Sequence, residues 1–517
     1  MLCPVNAEVK QPNTEVPQGT FLRDHKKKIN YRVFDGKVKY VFLRNEGRID
    51  NTRSNGDERM KFMSLPDGGI GWQKFNKIFV SSKEIAKGSN GTIVLEGIYE
   101  DRPVAVKRLV RTHHDVASNE IQILLASDRH KNIVRYYGVE YSQDFIYLAL
   151  ERCICSLDDL IQVHSDSSNN SAFPGDPAST DDYKIKLDSV RVMMQDVNLW
   201  RADGYPSPWL LRLMRDVVSG LNHLHDLGII HRDIKPQNVL ITKNRLFRAH
   251  LSDMGISRCL AEDNLPWDIM PPQSLLLKKI VMLEVRLLCC GTLGWRAPEL
   301  LHHGGRQTLA MDLFSLGCVL FFCITRGRHP FGENLERDYN IAHNKMDLSL
   351  VEFIPEAYDL LCCLLNQDHK LRPKASEVLH HPTFWNSKMR LSFLRDVSDK
   401  VEFETRAHNS DLLNALANVA QLAFDGKWDD KIEIEVMADL RKRRTYDGSS
   451  VRDLLRAVRN QFSHHMEARK EVKEILGPFP DGLDAYFAKR FPGLLIASYR
   501  AVSQIYKEEE CFREYFK

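Results

Sequence analysis

The sequence predicts an α+β protein in which a two-lobed domain, rich in strands at its start, precedes a small all-α domain. β-Branched and aromatic residues supply the β-forming content of residues 79–110 and 133–150, whereas the pattern after residue 209 is mainly helical with Gly and Pro stops. A chain of 517 residues is too long for one hydrophobic core. Its 43% hydrophobic and 27% charged content is typical of globular proteins, so two or three domains are expected.

Residues 1–78 are predicted to form an N-terminal extension that is partly disordered. Lys26–Lys28 is a basic run, and residues 51–57 are polar and turn-forming. A weak alternation of apolar and polar residues from Ile29 to Leu43 indicates a hairpin. The folded domains are therefore expected to begin at residue 79.

Charge, cysteine content and hydropathy exclude several classes of protein. A net charge of +3 argues against nucleic-acid binding over the whole surface, so RNA contact requires a local basic patch. The eleven cysteines form no Cys-x-x-Cys pair, which disfavours a zinc site and indicates the reduced thiols of an intracellular protein. The longest apolar run, Leu313 to Thr325, is short of the roughly 18–20 residues that cross a bilayer. With no secretory signal, a cytoplasmic protein without a transmembrane segment is expected.

The first predicted strands flank a candidate nucleotide-binding turn. Gly88 and Gly91 stand between two β-forming runs, and glycines there let backbone N–H groups approach phosphates. Ile85 and Ile93 flank the turn and are predicted to contact the nucleotide. Ala86 replaces the first glycine of the pattern G-x-G-x-x-G, so this segment alone is also compatible with an ordinary hairpin turn.

A lysine and a glutamate follow at the spacing that phosphate binding requires. Lys107 ends a short run of β-forming residues, from which it would pair with the α- and β-phosphates. Glu120 heads a helical segment and would orient that lysine, although a solvated helix charge is the simpler interpretation. Glu151 and Cys153 follow the strand run 133–150 and are further predicted nucleotide contacts.

The octet His231–Asn238 contains the residues that phosphoryl transfer needs. Asp233 would accept the proton of the substrate hydroxyl, and Lys235 is typical of enzymes that modify serine and threonine. Asn238 and Asp253, the latter in Asp-Met-Gly, would be the Mg²⁺ ligands. ATP or ADP with Mg²⁺ is therefore the predicted cofactor.

The remaining motifs complete a protein-kinase set. Glu299, in Ala-Pro-Glu, would end the activation segment and pair with Arg372. Together the motifs predict a bilobal protein-kinase fold over residues 79–385, with a polar insert at about 163–207, followed by the small all-α domain.

The segment between Asp253 and Glu299 is unusual. Residues 266–290 are markedly apolar. The candidate phosphorylation sites are few, namely Ser257, Ser274 and Thr292.

Residues 388–517 are predicted to form an all-α domain with a second constellation. An amphipathic helix is predicted from Val451 to His465, and it carries Arg459, Asn460 and His464. Histidine can act as an acid near neutral pH, and arginine and asparagine side chains can hold phosphoryl oxygens.

A tyrosine completes this constellation. The basic run 441–444 is expected to lower the pKa of the adjacent Tyr446, which would make it a base. The set suits RNA cleavage without a metal. A basic helix with a surface histidine is the simpler interpretation, and His465 competes with His464 as the acid.

Taken together, these features resemble the plant-type inositol-requiring kinase/endoribonuclease family of the unfolded-protein response. The resemblance covers about residues 79–517. It rests on the kinase motifs, on residues 391–399 at the domain junction, and on residues 444–446, 451–456 and 459–460. It implies a kinase plus a KEN-type endoribonuclease (RNase) domain, without the lumenal sensor.

The resemblance implies a bifunctional Ser/Thr protein kinase and metal-independent endoribonuclease. Tyr446 would be the base, His464 the acid, and Arg459 and Asn460 the phosphate-positioning residues. A homodimer, or a heterodimer with a full-length relative, would cut an RNA stem-loop and leave a 2′,3′-cyclic phosphate and a 5′-hydroxyl. The cut would serve unconventional splicing of a bZIP transcription-factor mRNA and decay of other mRNAs, at the cytosolic face of the endoplasmic reticulum through a partner.

The alternative is a non-catalytic or kinase-only regulator that dimerises with a full-length relative. The missing sensor and the unusual activation segment favour it. It predicts phosphorylation without RNA cleavage, or reduced splicing when the chain is co-expressed with the relative.

Overall fold

The computed structural model describes residues 21–23, 30–34, 37–40, 71–88, 91–127, 130–165, 177–243, 246–259, 291–301, 307–406, 411–418, 423–424 and 426–517. They belong to two separate units, residues 1–67 and 68–517. The described part of the first unit is an antiparallel sheet of three short strands, β1 (Phe21–Arg23), β2 (Asn30–Phe34) and β3 (Lys37–Tyr40). The predicted hairpin within Ile29–Leu43 is thus found as β2 and β3, and apart from β1 the rest of the extension up to residue 70 lies outside the described residues.

The strand-rich lobe of the second unit is a six-stranded antiparallel sheet in the order β4-β5-β6-β7-β9-β8. The strands are β4 (Trp72–Phe75), β5 (Ile78–Lys87), β6 (Ile93–Tyr99), β7 (Arg102–Val110), β8 (Tyr136–Tyr141) and β9 (Phe145–Glu151). The sheet begins at Trp72, on the extension side of the predicted boundary. Helix α1 (His114–Ala126) follows β7, where the sequence predicted helical character.

A mainly helical lobe follows, and it holds the largest hydrophobic core among the described residues. Its helices are α2 (Leu157–His164), α3 (Pro177–Met193), α4 (Pro208–Asp226), α5 (Leu309–Ile324), α6 (Arg337–Ala342), α7 (Pro355–Leu364) and α8 (Ala375–Leu379). Short strands between them form a three-stranded antiparallel sheet in the order β10-β12-β13 and a two-stranded sheet of β11 and β14. They are β10 (Cys155–Ser156), β11 (Ile229–Ile230), β12 (Val239–Lys243), β13 (Phe247–Leu251) and β14 (Arg258–Cys259). The apolar run from Leu313 is the buried helix α5, and among the described helices none has the length and apolar character that crossing a membrane requires.

One helix was missed in the sequence. Helix α3 occupies the centre of the predicted polar insert, and the chain buries Val190 and Met194 at its end. Helix α3 thus lies within the insert that the sequence predicted as polar at about 163–207, and Val190 packs its C-terminal end into the core of the lobe. Residues 166–176 lie outside the described part of the chain.

The C-terminal domain is all-α, as predicted. Its helices are α9 (Ser387–Arg406), α10 (Asp411–Asn418), α11 (Ile434–Arg441), α12 (Val451–His464), α13 (Lys470–Leu476), α14 (Asp481–Arg490), α15 (Leu494–Ile505) and α16 (Arg513–Phe516). Fully buried aromatic side chains, among them Trp428 and Phe393, occupy its core.

An aromatic cluster joins this domain to the helical lobe before it. The Trp385 ring lies 5.1 Å from the Phe393 ring, 5.8 Å from the Tyr499 ring and 5.4 Å from the Tyr515 ring, between ring centroids. Aromatic pairs at these separations add to the stabilisation that burial provides. The two domains are therefore packed against each other through a shared apolar junction.

Candidate active sites

A buried ion pair connects the sheet with helix α1. The Lys107 ammonium on β7 lies 2.7 Å and 2.9 Å from the two carboxylate oxygens of Glu120, and both residues are buried. The same nitrogen lies 2.8 Å from Asp253 Oδ1. The structure thus brings together the three residues predicted to orient and bind the phosphates.

The charges of this cluster stabilise one another. Burial by itself would lower the pKa of Lys107, but the carboxylates of Glu120 and Asp253 outweigh it and raise the pKa above its usual value. The Lys107 charge in turn lowers the pKa of Asp253 against the effect of burial. The ammonium and the Asp253 carboxylate are therefore both charged near neutral pH, as phosphate and cation binding require.

The glycine turn lies between β5 and β6. The N–H of Gly88 donates to the carbonyl of Thr92 at 2.8 Å, and Gly91 has φ of +73°, which favours glycine because a side chain is strained there. Ala86 pairs with Val94 across the sheet, so an alanine side chain fits the strand at this position. Ile85 and Ile93, the predicted nucleotide contacts, are half-buried on the two strands that the turn joins.

Glu151 and Cys153 lie where β9 ends and the chain passes to the helical lobe. Glu151 pairs with Val104 across the sheet, and its N–H donates to the carbonyl of Arg135 at 2.8 Å. Burial raises the pKa of the Cys153 thiol, which keeps it protonated. These two predicted contacts therefore sit at the junction of the lobes.

The residues predicted for phosphoryl transfer form one hydrogen-bonded group. Asp233 Oδ2 accepts from the Asn238 amide at 2.8 Å and lies 2.8 Å from the Lys235 ammonium. The Thr292 hydroxyl donates to Asp233 Oδ1 at 2.7 Å. Thr292, which the sequence indicated only as a candidate phosphorylation site, thus belongs to this hydrogen-bonded group. It connects the end of the activation segment with Asp233.

An aspartate on helix α5 holds the chain that carries Asp233. The carboxylate of Asp312 accepts hydrogen bonds of 2.8 Å from the backbone N–H groups of His231 and Arg232, and the His225 ring lies 3.0 Å away. Arg232 has φ of +73°, a strained conformation that these bonds maintain. The sequence identified the apolar run from Leu313 but not the role of Asp312 before it, because the contacts of Asp312 depend on the tertiary fold.

Two side chains offer oxygen ligands for a divalent cation. Asp253, with φ of +62°, uses Oδ1 for Lys107, and Asn238 uses its amide nitrogen for Asp233, so an oxygen of each has no role in those bonds. Carboxylate and amide oxygens are ligands that Mg²⁺ accepts, with phosphate oxygens completing its shell. Within the described ranges no group of three His, Cys, Asp or Glu forms a metal site by itself. The residues therefore fit an ion that binds together with a nucleotide.

Most of the activation segment, residues 260–290, lies outside the described residues, and with it the apolar stretch 266–290 and Ser274. Ser257 is described and buried, and its hydroxyl donates to the carbonyl of His231 at 3.0 Å. In this conformation Ser257 is therefore a structural hydroxyl, and the prediction that it is available for phosphorylation does not fit.

The second constellation lies on helix α12 and the segment before it. The Asn460 amide donates to the Tyr446 phenol oxygen at 2.7 Å, and the Tyr446 ring meets Trp428 edge to face at 6.0 Å. His464 lies four residues after Asn460 and so shares its helix face. The Ser450 side chain caps the N-terminus of this helix. The structure thus pairs the predicted tyrosine and asparagine and places the histidine along the same face.

The predicted direction of the Tyr446 pKa is wrong. Burial raises the pKa of Tyr446, and the Asn460 hydrogen bond and the cations Arg444 and Arg443 only partly offset it. The basic run is largely engaged elsewhere, since Arg441 pairs with Asp429 and Lys442 with Asp439.

The two adjacent histidines differ in environment. His464 is 40% exposed at its side chain, and its Nδ1 lies 3.0 Å from Glu467 Oε2. His465 is buried beside Phe479, and burial lowers its pKa. A substrate can reach His464, so the geometry favours it over His465 as the acid.

The arginines of helix α12 are held by carboxylates of helix α9. Arg459 lies 2.9 Å from Asp399. Arg452 and Arg456 both pair with Glu402. The sequence did not predict Asp399 or Glu402 as partners of these arginines, because pairing across 50 to 60 residues has no local signal.

The fold and these sites define the class: a protein kinase joined to a small helical ribonuclease domain. Residues 79–384 match the family described as the protein kinase domain, and residues 390–516 match the family described as Ribonuclease 2-5A. Because the first match covers more than half of the chain, the chain contains a protein kinase domain, a domain type that implies the use of ATP and a metal.

Three named relatives define the family more closely. The chain is 53% identical to "Serine/threonine-protein kinase/endoribonuclease IRE1a" of Arabidopsis thaliana, over 89% of this chain and 53% of the relative. It is 47% identical to "Serine/threonine-protein kinase/endoribonuclease IRE1" of Oryza sativa subsp. japonica, over 91% and 48%. It is 37% identical to "Inactive serine/threonine-protein kinase/endoribonuclease IRE1-like" of Arabidopsis thaliana, over 85% and 78%.

The chain belongs to the serine/threonine-protein kinase/endoribonuclease family of these relatives, as the resemblance predicted. It spans about half the length of the first two.

Proposed function

We propose that the chain is a Ser/Thr protein kinase and a metal-independent endoribonuclease of the unfolded-protein response. The observation that carries this proposal is the presence of two assembled sites in one chain: the Lys107–Glu120–Asp253 cluster, and the Asn460–Tyr446 pair beside an accessible His464. Each site holds the residue types that its reaction requires.

In the kinase site, ATP or ADP would lie against the turn formed by Gly88 and Gly91. Lys107 would contact the phosphates, and Asp233 would accept the proton of the substrate hydroxyl. Asn238 and Asp253 would hold Mg²⁺, which neutralises phosphate charge when bound. The hydrogen bonds that link Asp233 to Asn238 and Lys235 support this assignment.

In the ribonuclease site, the 2′-oxygen would attack phosphorus and the bond to the 5′-oxygen would break. Tyr446 would take the proton of the 2′-hydroxyl, and His464 would protonate the 5′-oxygen. Arg459 and Asn460 would hold the phosphoryl oxygens. Because its pKa is raised, only a small fraction of Tyr446 would be in the phenolate form near neutral pH.

The substrate would be an mRNA stem-loop, cut for unconventional splicing of a bZIP transcription-factor mRNA and for mRNA decay. The active form would be a homodimer or a heterodimer with a full-length relative, at the cytosolic face of the endoplasmic reticulum. The names of the relatives support the two activities.

The test is cleavage of a short RNA hairpin by purified protein in EDTA, with and without prior loading with ADP·Mg²⁺. Wild type should cleave and leave a cyclic phosphate, whereas His464→Ala should not cleave but should still autophosphorylate. Loss of both activities in His464→Ala, or no cleavage by nucleotide-loaded dimeric wild type, would contradict the proposal.

A second candidate is the regulator that lacks one or both activities. One observation favours it: a relative that matches over 78% of its length is named inactive. Co-expression with a full-length relative would then reduce splicing, and the purified chain would leave the hairpin intact.

A further inference from the structure

Glu467 connects His464 with the basic segment before Tyr446. It lies three residues after His464, at the end of the short turn that follows helix α12. Its Oε2 is 3.0 Å from His464 Nδ1, and the same oxygen is 3.6 Å from the Arg443 guanidinium. One carboxylate therefore touches the candidate acid and a cation from the other side of the site.

This contact assigns the two ring nitrogens of His464. A carboxylate oxygen only accepts hydrogen bonds, so Nδ1 carries the hydrogen that lies between His464 and Glu467. Nε2 is then the nitrogen that is left for a substrate. The hydrogen bond of one imidazole nitrogen fixes the tautomer, and it therefore decides which nitrogen is available for the reaction.

We propose that Glu467 is the positioning residue that orients His464 for proton donation from Nε2. The inference rests on the proposed ribonuclease function and names a further residue for it. As the P–O2′ bond forms and the P–O5′ bond breaks, the electron pair goes to the 5′-oxygen, which takes the proton from Nε2. Glu467 does not touch the RNA in this step. It fixes the plane of the ring and balances the positive charge of the doubly protonated imidazole.

Arg443 limits the motion of Glu467. The Glu467 side chain is 67% exposed and would otherwise sample several rotamers. The Arg443 side chain is 29% exposed and also lies 3.9 Å from Asp439, a buried carboxylate on helix α11. Exposed ion pairs contribute little to stability, so removing Glu467 should leave the fold intact and change catalysis alone.

The test compares Glu467→Gln with Glu474→Gln. Glu474 is a matched control because it is an exposed carboxylate on helix α13 that pairs with Lys470 at 3.8 Å. Each variant is assayed in single turnover on an RNA hairpin and on the same hairpin with sulfur in place of the scissile 5′-oxygen. A thiolate leaves without protonation, so the sulfur substrate does not need the acid.

Glu467→Gln should cleave the ordinary hairpin about tenfold to a hundredfold more slowly, a part of what a general acid contributes. It should cleave the sulfur substrate at the wild-type rate, and the double variant with His464→Ala should be no slower than His464→Ala alone. Glu474→Gln should match wild type on both substrates.

Two results would overturn the inference: wild-type rates for Glu467→Gln on the ordinary hairpin, or equal slowing on both substrates, which indicates structural damage. If wild type cleaves neither substrate, the ribonuclease function itself fails, and this inference fails with it. The two failures are distinguishable because only the second abolishes wild-type cleavage.

Discussion

The side-chain amide of Asn460 donates a 2.7 Å hydrogen bond to the phenol oxygen of Tyr446. Asn460 is on helix α12, whereas Tyr446 precedes that helix, so the bond fixes the tyrosine against the helix face that also carries His464. Because an amide has a second donor and an acceptor, Asn460 can hold Tyr446 and a phosphoryl oxygen at once.

Replacing Asn460 by alanine should therefore slow RNA cleavage by about tenfold to a hundredfold, because the variant loses both the phosphate contact and the orientation of Tyr446. Autophosphorylation should be unchanged, since the kinase site is in the other domain. Single-turnover cleavage of a hairpin measures the first effect and transfer of labelled phosphate the second. Ser463→Ala, an exposed change on the same helix, is the control, and an equal loss in both variants would contradict the role.

Replacing Glu120 by glutamine should weaken ATP binding and reduce autophosphorylation. The variant leaves the buried Lys107 with Asp253 as its remaining carboxylate, so the ammonium is drawn towards Asp253 and away from the phosphates. Calorimetric titration with ATP·Mg²⁺ should show affinity lower by about tenfold, roughly 1.4 kcal/mol. Glu100→Gln, at an exposed strand-end position of the same sheet, is the control. Unchanged affinity in Glu120→Gln would mean that the pair only packs helix α1.

The sequence predicted those parts whose chemistry fixes both the residue type and its spacing. The structure brings Lys107 to Asp253 and Asn238 to Asp233, as expected from the residue types and chain order that phosphoryl transfer requires. The all-α domain was predictable from apolar periodicity, as in helix α12.

The predictions from sequence failed where the property in question depends on the three-dimensional surroundings of a residue. The pKa of Tyr446 depends on the burial of its phenol and on the contacts of the neighbouring cations, and the local sequence reveals neither of these. The partners Asp312, Asp399 and Glu402 are distant in sequence from the residues they hold. Helix α3 was missed because its composition is polar and, of its described side chains, only Val190 is buried, which leaves little apolar periodicity to detect.

The Glu402 carboxylate provides a test of stability against pH. It lies between Arg452 and Arg456, and although burial opposes ionisation, those two arginines lower its pKa from 4.5 to about 2. A carboxyl with a lowered folded-state pKa stabilises the protein above its ordinary pKa, and that stabilisation is lost as the pH falls towards the folded value. The window is therefore from about pH 4.5 down to about pH 2.

Glu402→Gln should lower the free energy of unfolding by about 2 kcal/mol at neutral pH, a magnitude typical of hydrogen bonds to charged groups. The difference from wild type should shrink through that acid window, because both proteins then carry a neutral side chain. Urea unfolding at a series of pH values measures it, with Glu474→Gln as an exposed control. If the difference in free energy of unfolding between wild type and Glu402→Gln stays constant through this pH range, the charge of Glu402 does not stabilise the fold.

Arg390 joins the kinase to the ribonuclease domain. Its guanidinium lies 2.8 Å from Glu356 on helix α7 and 3.1 Å from Asp484 on helix α14, and all three side chains are largely shielded from solvent. Arg390→Met keeps the stem but leaves two carboxylates facing each other without the cation. Breaking a buried pair costs about 3 kcal/mol or more, so the junction should loosen.

A loosened junction should separate the two activities. Autophosphorylation of Arg390→Met should stay near that of wild type, because Lys107, Asp233 and Asp253 are held by hydrogen bonds to other residues of the kinase site. Stimulation of RNA cleavage by ADP·Mg²⁺ should fall, because a change that the nucleotide causes in the kinase domain would no longer be transmitted to the ribonuclease domain through a rigid junction. Lys507→Met, which breaks a more exposed pair with Glu377 across the same junction, should have a smaller effect. If Arg390→Met unfolds more easily yet keeps the full nucleotide stimulation, the coupling does not pass through this contact, and the aromatic cluster around Trp385 would be the connection to test next.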